Sequence, residues 1–431
     1  DESWPMRYFM NSTSMKRKII ILSGLLIACV LNVQAQDTVV YNPPATYSFI
    51  RSEANVIHNR ESLDPLYAKM IELKETPQSK VTILQLGDSH IQADYFTGTT
   101  RTLLQQEFGN AGLGLIFPGR VAHTNESHSI YSSSTGQWNS NRITNSQNTQ
   151  PIGVAGNSLK TELAGNTIKI RTINATHDYS FNRMTLFFQK DISSYTIIAR
   201  DSTGTSLAFA GYFTDEVYPN ASKLVLPYSI NQVQLETAQT LPSQNQFTLF
   251  GVSLENSNPG ILYHIIGVNG AKSKHFIKSK EVLNQTTALS PDLIIISLGT
   301  NEAVDHPNLD TNFDKQLNTL ISVLKAGNPN AHILLTTPAD FYKKRTRRNT
   351  GIQIIKNKII EVANNNKLPY WDLHEVAGGN HSADLWKKEE LMQPDGIHFS
   401  KKGYALQGYL LFEAIIKGYN EYVLHRHSKT H

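Results

Sequence analysis

Three short segments, far apart in the chain, hold residue types that can do chemistry together. They are ILQLGDSHIQ around Ser89, IISLGTNEA around Asn301, and QPDGIHFS around Asp395 and His398. Ser89 supplies a hydroxyl nucleophile, Asn301 an amide N–H for a developing oxyanion, and His398 an imidazole base. Asp395 stands three residues before His398 across a glycine-containing turn. Its carboxylate can accept from one ring nitrogen and leave the other to take the serine proton. These groups are what ester hydrolysis through an acyl-enzyme requires. Gly270, in IIGVNGA, follows another apolar run, and its backbone N–H is a candidate second oxyanion donor.

Each segment has a plain structural reading as well. Gly-Asp-Ser is common turn chemistry. Asn301 could cap a helix or turn, and Asp395 could form an Asx turn capping the last helix. His90 and Glu302, next to Ser89 and Asn301, are candidates to touch substrate or tune the pocket, or else to hydrogen-bond nearby loops. Trp138, Tyr131 and Tyr212 could stack on sugar rings or pack a core. His123, His128, His374 and His381 lack ligand-like spacing, which argues against a metal site.

The elements that must position these groups alternate at both ends of the chain. Leu63 to Glu75 reads as an amphipathic helix, Val81 to Leu86 as a buried strand, and Thr97 to Phe108 as a helix. Ser89 and Asn301 would both stand at carboxyl ends of strands. Later strands are expected at Ile261–Val268, Asp292–Leu298, Ala331–Thr337 and Leu368–Leu373. Helices are expected at Lys274–Leu289, Thr311–Ala326, around Ile352 to Val362, and at Lys401–Tyr419. Such alternation implies a doubly wound α/β parallel sheet. Between its first and second strands the texture changes. From Thr124 to Ser158 the chain is rich in Ser, Asn, Thr and Gly. Seven short alternating runs follow, TIKIRTI, RMTLFFQ, YTIIAR, SLAFAGYF, KLVLPY, VQLETA and FTLFGVSL. They read as an inserted antiparallel β-sandwich or jelly roll. The expected division is 1–35 leader, 36–110 first part of the α/β domain, 111–260 insert, and 261–431 second part.

At 431 residues, 40% hydrophobic and 18% charged, the chain can bury a substantial core. Lys16, Arg17 and Lys18 precede an apolar run from Ile19 to Val33, and Val33-Gln34-Ala35 offers a cleavage site, so export is expected. Met15 is the better initiator than any upstream residue. The run is short for a membrane span. Leu26-Ile27-Ala28-Cys29 resembles a bacterial lipobox, which would leave a lipid on Cys29, although the apolar run continues past it. Cys29 is the only cysteine, so cleavage at Ala35 would leave no disulfide or thiolate chemistry. Neither H-E-x-x-H nor a P-loop is present. The net charge of +4 is scattered, and removing the leader halves it, which argues against nucleic acid as partner.

With those blocks in hand, the chain resembles the SGNH (GDSL-type) hydrolases. The matching positions are Ser89 in GDSH, Gly270 in GVNGA, Asn301 in GTNE, and His398 with Asp395 in DGIH. The resemblance covers roughly residues 79–110 and 261–420. It implies a flavodoxin-like sheet, Ser89 as nucleophile, His398 as base, and Asp395 orienting it. The implied oxyanion hole is the Ser89 and Gly270 N–H groups with the Asn301 side chain, and no cofactor is needed. His90 stands where leucine is usual, and Glu302 where aspartate is more common. GDSH, GTNE and a β-rich insert together are similar to periplasmic peptidoglycan O-acetylesterases. The implied partner is then an acetylated polysaccharide, peptidoglycan or another glycan. Polysaccharide O-acetyltransferases carry related blocks, and an inert carbohydrate-binding surface protein is the reading from another class.

Overall fold

In the computed structural model, residues 38–41, 47–147, 149–173, 177–213, 220–343 and 345–429 are described. The leader read over residues 1–35, with Cys29, lies outside them. Tyr41–Gly418 form one compact unit. In a second, small unit the Val39 N–H donates to Asn420 Oδ1 at 2.8 Å.

The central sheet has five parallel strands, β1 (Lys80–Gly87), β2 (Gly260–Gly267), β3 (Leu293–Ser297), β4 (His332–Thr336) and β5 (Tyr370–Trp371). Their spatial order is β2-β1-β3-β4-β5, with Ile57–His58 antiparallel on the β5 edge. That is the doubly wound, flavodoxin-like order, whose ligand crevice lies beyond the carboxyl ends next to the first strand. β1 is buried from Val81 to Gly87, as a strand covered on both faces must be. The flanking helices are α1 (Asp64–Glu75), α2 (Tyr95–Phe108), α3 (Phe313–Gly327), α4 (Gly351–Asn365) and α5 (Lys401–Lys429). α3 buries the expected stripe of Phe313, Leu317, Leu320, Ile321 and Leu324.

Three expectations differ. The helix read over Lys274–Leu289 breaks into Ser273–Lys278, Lys280–Gln285 and a 3-10 turn at Thr286–Leu289. The strand read over Leu368–Leu373 shrinks to Tyr370–Trp371, because Asp372 caps the next helical turn through the Glu375 N–H. Asn301 does not end a strand; β3 stops at Ser297 and Asn301 lies in the helical turn Thr300–Val304.

The chain between α2 and β2 builds two antiparallel sheets. One runs, in spatial order, Ser206–Ala210, Thr196–Arg200, Gln232–Ala238, Thr167–Thr172 and Ile130–Thr135. The other runs Ala221–Ile230, Phe181–Phe188, Phe247–Glu255, Asn157–Thr161 and Asn139–Arg142, with Gly112–Ile116 also on Phe247–Glu255. They share one core. Ile168, Ile170, Ile197, Val233 and Leu235 from the first meet Phe181, Leu186, Phe188, Leu249 and Val252 from the second. Each such side chain contributes about 1.5–3 kcal/mol on burial. All seven expected runs are strands. Ile130–Thr135, Asn139–Arg142 and Asn157–Thr161 are further strands that the sequence pattern does not mark, because they are polar, the first half exposed and the second mostly so.

The insert is stitched firmly to the α/β layer. The Leu115 N–H donates to His264 Nδ1, in mid-β2, at 3.0 Å. Burial pushes His264 down to about 4, so it stays a neutral acceptor. Arg101 on α2 grips Asp94 with two bonds of 3.0 and 2.7 Å, and Ser127 and Ser129 Oγ donate to the same carboxylate. Both ends of this ion pair are 1% exposed.

Candidate functional site

The site begins where β1 ends. Gly87 has no side chain because a Cβ there would lie 2.6 Å from the Ser297 carbonyl oxygen of neighbouring β3. Close approach, and not turn freedom, is what excludes a larger residue. Asp88 then caps the helical turn Ser89–Gln92 by accepting from the His90 N–H at 3.0 Å. Ser89 opens that turn, so its own N–H has no acceptor within the helix.

His398 arrives on the loop before α5. Asp395 Oδ1 accepts from the N–H groups of Ile397 and His398, both at 2.9 Å, so the Asx turn is real. The other oxygen, Oδ2, is left to face His398 Nδ1 at 2.7 Å. One carboxylate therefore both shapes the turn and holds the ring. Gly396 lies at φ 71°, a conformation any side chain would strain, and a Cβ there would sit 3.0 Å from that of Tyr342. On its far side, His398 Nε2 stands 2.9 Å from Ser89 Oγ. With its proton on Nδ1, the ring donates to Asp395 and accepts from Ser89. Burial opposes ionisation of Asp395, but the bonds from His398 and the two N–H groups hold it below the usual carboxylate range.

Asn301 Nδ2 donates to Asp88 Oδ2 at 3.3 Å and to the Ala271 carbonyl at 3.0 Å. Both amide hydrogens are therefore engaged, and an arriving oxyanion must displace an acceptor. The longer bond, to Asp88, is the one to yield. Gly270 precedes Ala271, and no atom outside its own neighbourhood comes closer than 4.0 Å to where its Cβ would be, so this rim has room for a substrate. The five residues read for nucleophile, base, orienting carboxylate and oxyanion donors thus converge on the carboxyl edge of β1, β2 and β3.

His90 and Glu302 fall elsewhere. The His90 ring leans on His398, with centroids 5.3 Å apart, and its Nδ1 bonds Tyr404 Oη of α5 at 3.0 Å. Burial, then the neighbouring His398, pushes it down to about 3, so it adds no charge to the site. Glu302 turns inward. It is 3% exposed and accepts from the Ser273 N–H at 2.9 Å, and burial raises its pKa. Trp138 packs against the insert core with its Nε1–H on the Thr135 carbonyl, and Tyr131 lies under the Arg120 guanidinium. Tyr212 meets Phe213 edge-on. Among the described residues, no three His, Cys, Asp or Glu side chains group so as to hold a metal, and no helix is long and apolar enough to cross a membrane.

Asp88 was not singled out in the sequence, although it sits inside the Gly-Asp-Ser block. Burial, with the like charge of Glu302 beside it, pushes it up to about 7 against the His90 N–H. It is one of the two acceptors that bind Asn301 at rest.

Residues 239–406 match the GDSL-like lipase/acylhydrolase family. This segment holds Gly270, Asn301, Asp395 and His398, while Ser89 lies upstream, across the insert. A solved peptidoglycan O-acetylesterase is similar at 21% identity and TM-score 0.68, over 86% of this chain and 98% of its own. The two share a fold, the insert included. A lipase/acylhydrolase from Enterococcus faecalis matches at 27% identity and TM-score 0.30, over 37% of this chain and 77% of its own. An acetyl xylan esterase matches at 20% identity and TM-score 0.30, over 36% and 81%. Comparison with curated proteins finds no match. The match of residues 239–406 to the acylhydrolase family supports a carboxylic ester hydrolase.

Proposed function

We propose that this chain is an exported serine esterase that removes O-acetyl groups from a polysaccharide through an acetyl-enzyme. The observation that carries it is the chain of contacts from Ser89 Oγ through His398 to Asp395, at 2.9 and 2.7 Å. Ser89 Oγ attacks the acetyl carbonyl carbon as His398 Nε2 takes its proton. The carbonyl oxygen becomes an oxyanion, received by the N–H groups of Ser89 and Gly270 and by Asn301 Nδ2, which leaves Asp88. The tetrahedral adduct collapses, the bond to the sugar oxygen breaks, and His398 returns the proton to that oxygen. Water, deprotonated by the same imidazole, then attacks the acetyl-serine; the bond to Ser89 Oγ breaks, His398 returns the proton to that oxygen, and acetate leaves.

O-acetylated peptidoglycan is the preferred substrate reading, since the fold is that of a peptidoglycan O-acetylesterase over most of both chains. A polymer of that kind requires the leader at residues 1–35 to deliver the chain outside the cytoplasm. The insert, whose chain passes back and forth between its two sheets, is read as a carbohydrate-binding-like jelly roll occupying residues 111–260. The test is acetate release in water from O-acetylated peptidoglycan, with Ser89→Ala as blank. Release only when a glycan acceptor is added would assign the chain to acetyl transfer instead, and glycan binding with no Ser89-dependent turnover would make it a binding protein.

A further inference from the structure

Between β4 and α4 the chain reads Lys-Lys-Arg-Thr-Arg-Arg over residues 343–348. Tyr342–Lys343 and Arg347–Arg348 pair as a small antiparallel hairpin, with Tyr342 opposite Arg348 and Lys343 opposite Arg347. This hairpin rests on the catalytic loop. The Tyr342 N–H donates to the Gly396 carbonyl at 2.7 Å, and the Arg345 carbonyl oxygen lies 3.1 Å from where a Gly396 Cβ would be. Gly396 is flanked by the groups that hold His398.

The charges on this hairpin are not balanced from within. Lys343 reaches the His306 carbonyl, a neutral acceptor, and Arg348 pairs with Asp384 at 2.6 Å. Asp340, the nearby carboxylate, is buried and accepts from the Ala383 N–H. Arg345 and Arg347 are exposed, and among the described residues no carboxylate pairs with either. Like charges directly opposite in a two-stranded ribbon destabilise it. An anion arriving between Lys343 and Arg347 would relieve that opposition. Beside it lies a cavity of about 220 Å³ walled by Tyr342, Arg348, Asn349, Gln353, Asn380 and His381. Its amides and rings suit sugar hydroxyls and faces.

We infer that this hairpin selects an acetylated glycan that carries carboxylates, with Arg345 and Arg347 as the cations that meet them. Guanidinium forks match carboxylates in geometry as well as charge. The inference rests on the esterase reading and extends it to the charge of the polymer.

The experiment compares acetylated polygalacturonate, acetylated xylan and p-nitrophenyl acetate as substrates for the full chain. The wild type should favour the anionic polymer, and that preference should fade as salt rises from about 0.05 to about 0.5 M. Arg345→Gln/Arg347→Gln should raise KM for the polygalacturonate ester roughly tenfold, two exposed ion pairs together, while the other two substrates change less than about twofold. Arg345→Lys/Arg347→Lys should restore only the part of the preference that charge alone supplies. Equal losses on all three substrates, or no loss on any, would overturn the inference. So would double-stranded DNA outcompeting polygalacturonate through the same arginines, which would make the hairpin a nucleic-acid contact. Failure of the wild type to cleave p-nitrophenyl acetate would instead remove the esterase reading, and this inference with it.

Discussion

Replacing Asp395 by asparagine leaves its shape almost unchanged and reverses one hydrogen bond. Oδ1 is fixed by two backbone donors, Ile397 and His398, each at 2.9 Å. An asparagine at 395 must keep its oxygen there, because turning the amide over would forfeit both bonds, at about 1 kcal/mol each, a bias of roughly 30-fold. The NH₂ group then takes the place of Oδ2, 2.7 Å from His398 Nδ1. Two donors cannot face each other, so Nδ1 must give up its proton and the ring carries it on Nε2. That nitrogen stands 2.9 Å from Ser89 Oγ and could no longer act as base. The expected loss in kcat is about 10⁴-fold, the size seen for the same exchange in a Ser-His-Asp site, with KM little changed. The assay is steady-state hydrolysis of p-nitrophenyl acetate, alongside ¹⁵N shifts of labelled histidine to read the tautomer of His398. A variant that keeps its rate within about tenfold, or a ring still protonated on Nδ1, would refute the reasoning.

Asn301→Ala should lower kcat on the order of 100-fold and leave KM near its original value, since the amide acts on the oxyanion and not on the resting ester; a change confined to KM would contradict this. Burial pushes Asp88 up to about 7 in the fold from an ordinary value of 3.8. Between those values the folded chain holds a proton the unfolded chain has released, so stability falls as pH rises from about 4 to about 7. Urea unfolding of Asp88→Asn should shift in the variant's favour across that window, by at most roughly 4 kcal/mol, and a constant difference would count against the buried carboxyl. Arg101→Ala strands Asp94 in the interior and should cost about 3–5 kcal/mol of unfolding free energy, where a loss under about 1 kcal/mol would mean that the pair does not anchor the insert.

Much of this was readable in the chain because its signals are local. β3 is an unbroken apolar run from Leu293 to Ile296, β1 is mostly apolar between Val81 and Leu86, and α3 carries a five-residue apolar stripe, so composition and period mark all three. Asp395 and His398 lie within one turn, so their contact needs no knowledge of the fold. Other features depended on distant partners. Nothing near Glu302 in sequence reveals that Ser273 would hold it inward, and nothing near His90 points to Tyr404. The polar strands Ile130–Thr135 and Asn139–Arg142 form only because an insert core lies beneath them. The cationic run at 343–348 was in plain view, but its meaning comes from the Tyr342 bond to Gly396, which only the folded loop supplies.

The central claim is that Ser89 Oγ carries the acetyl group between attack and water. Acid-quenched turnover of an acetyl ester, followed by peptide mass spectrometry, reads this directly. The account predicts an acetyl group on the peptide containing Ser89 during turnover, absent from Ser89→Ala and from His398→Ala. Acetate release that continues in Ser89→Ala, or an acetyl group found on another residue, would contradict it.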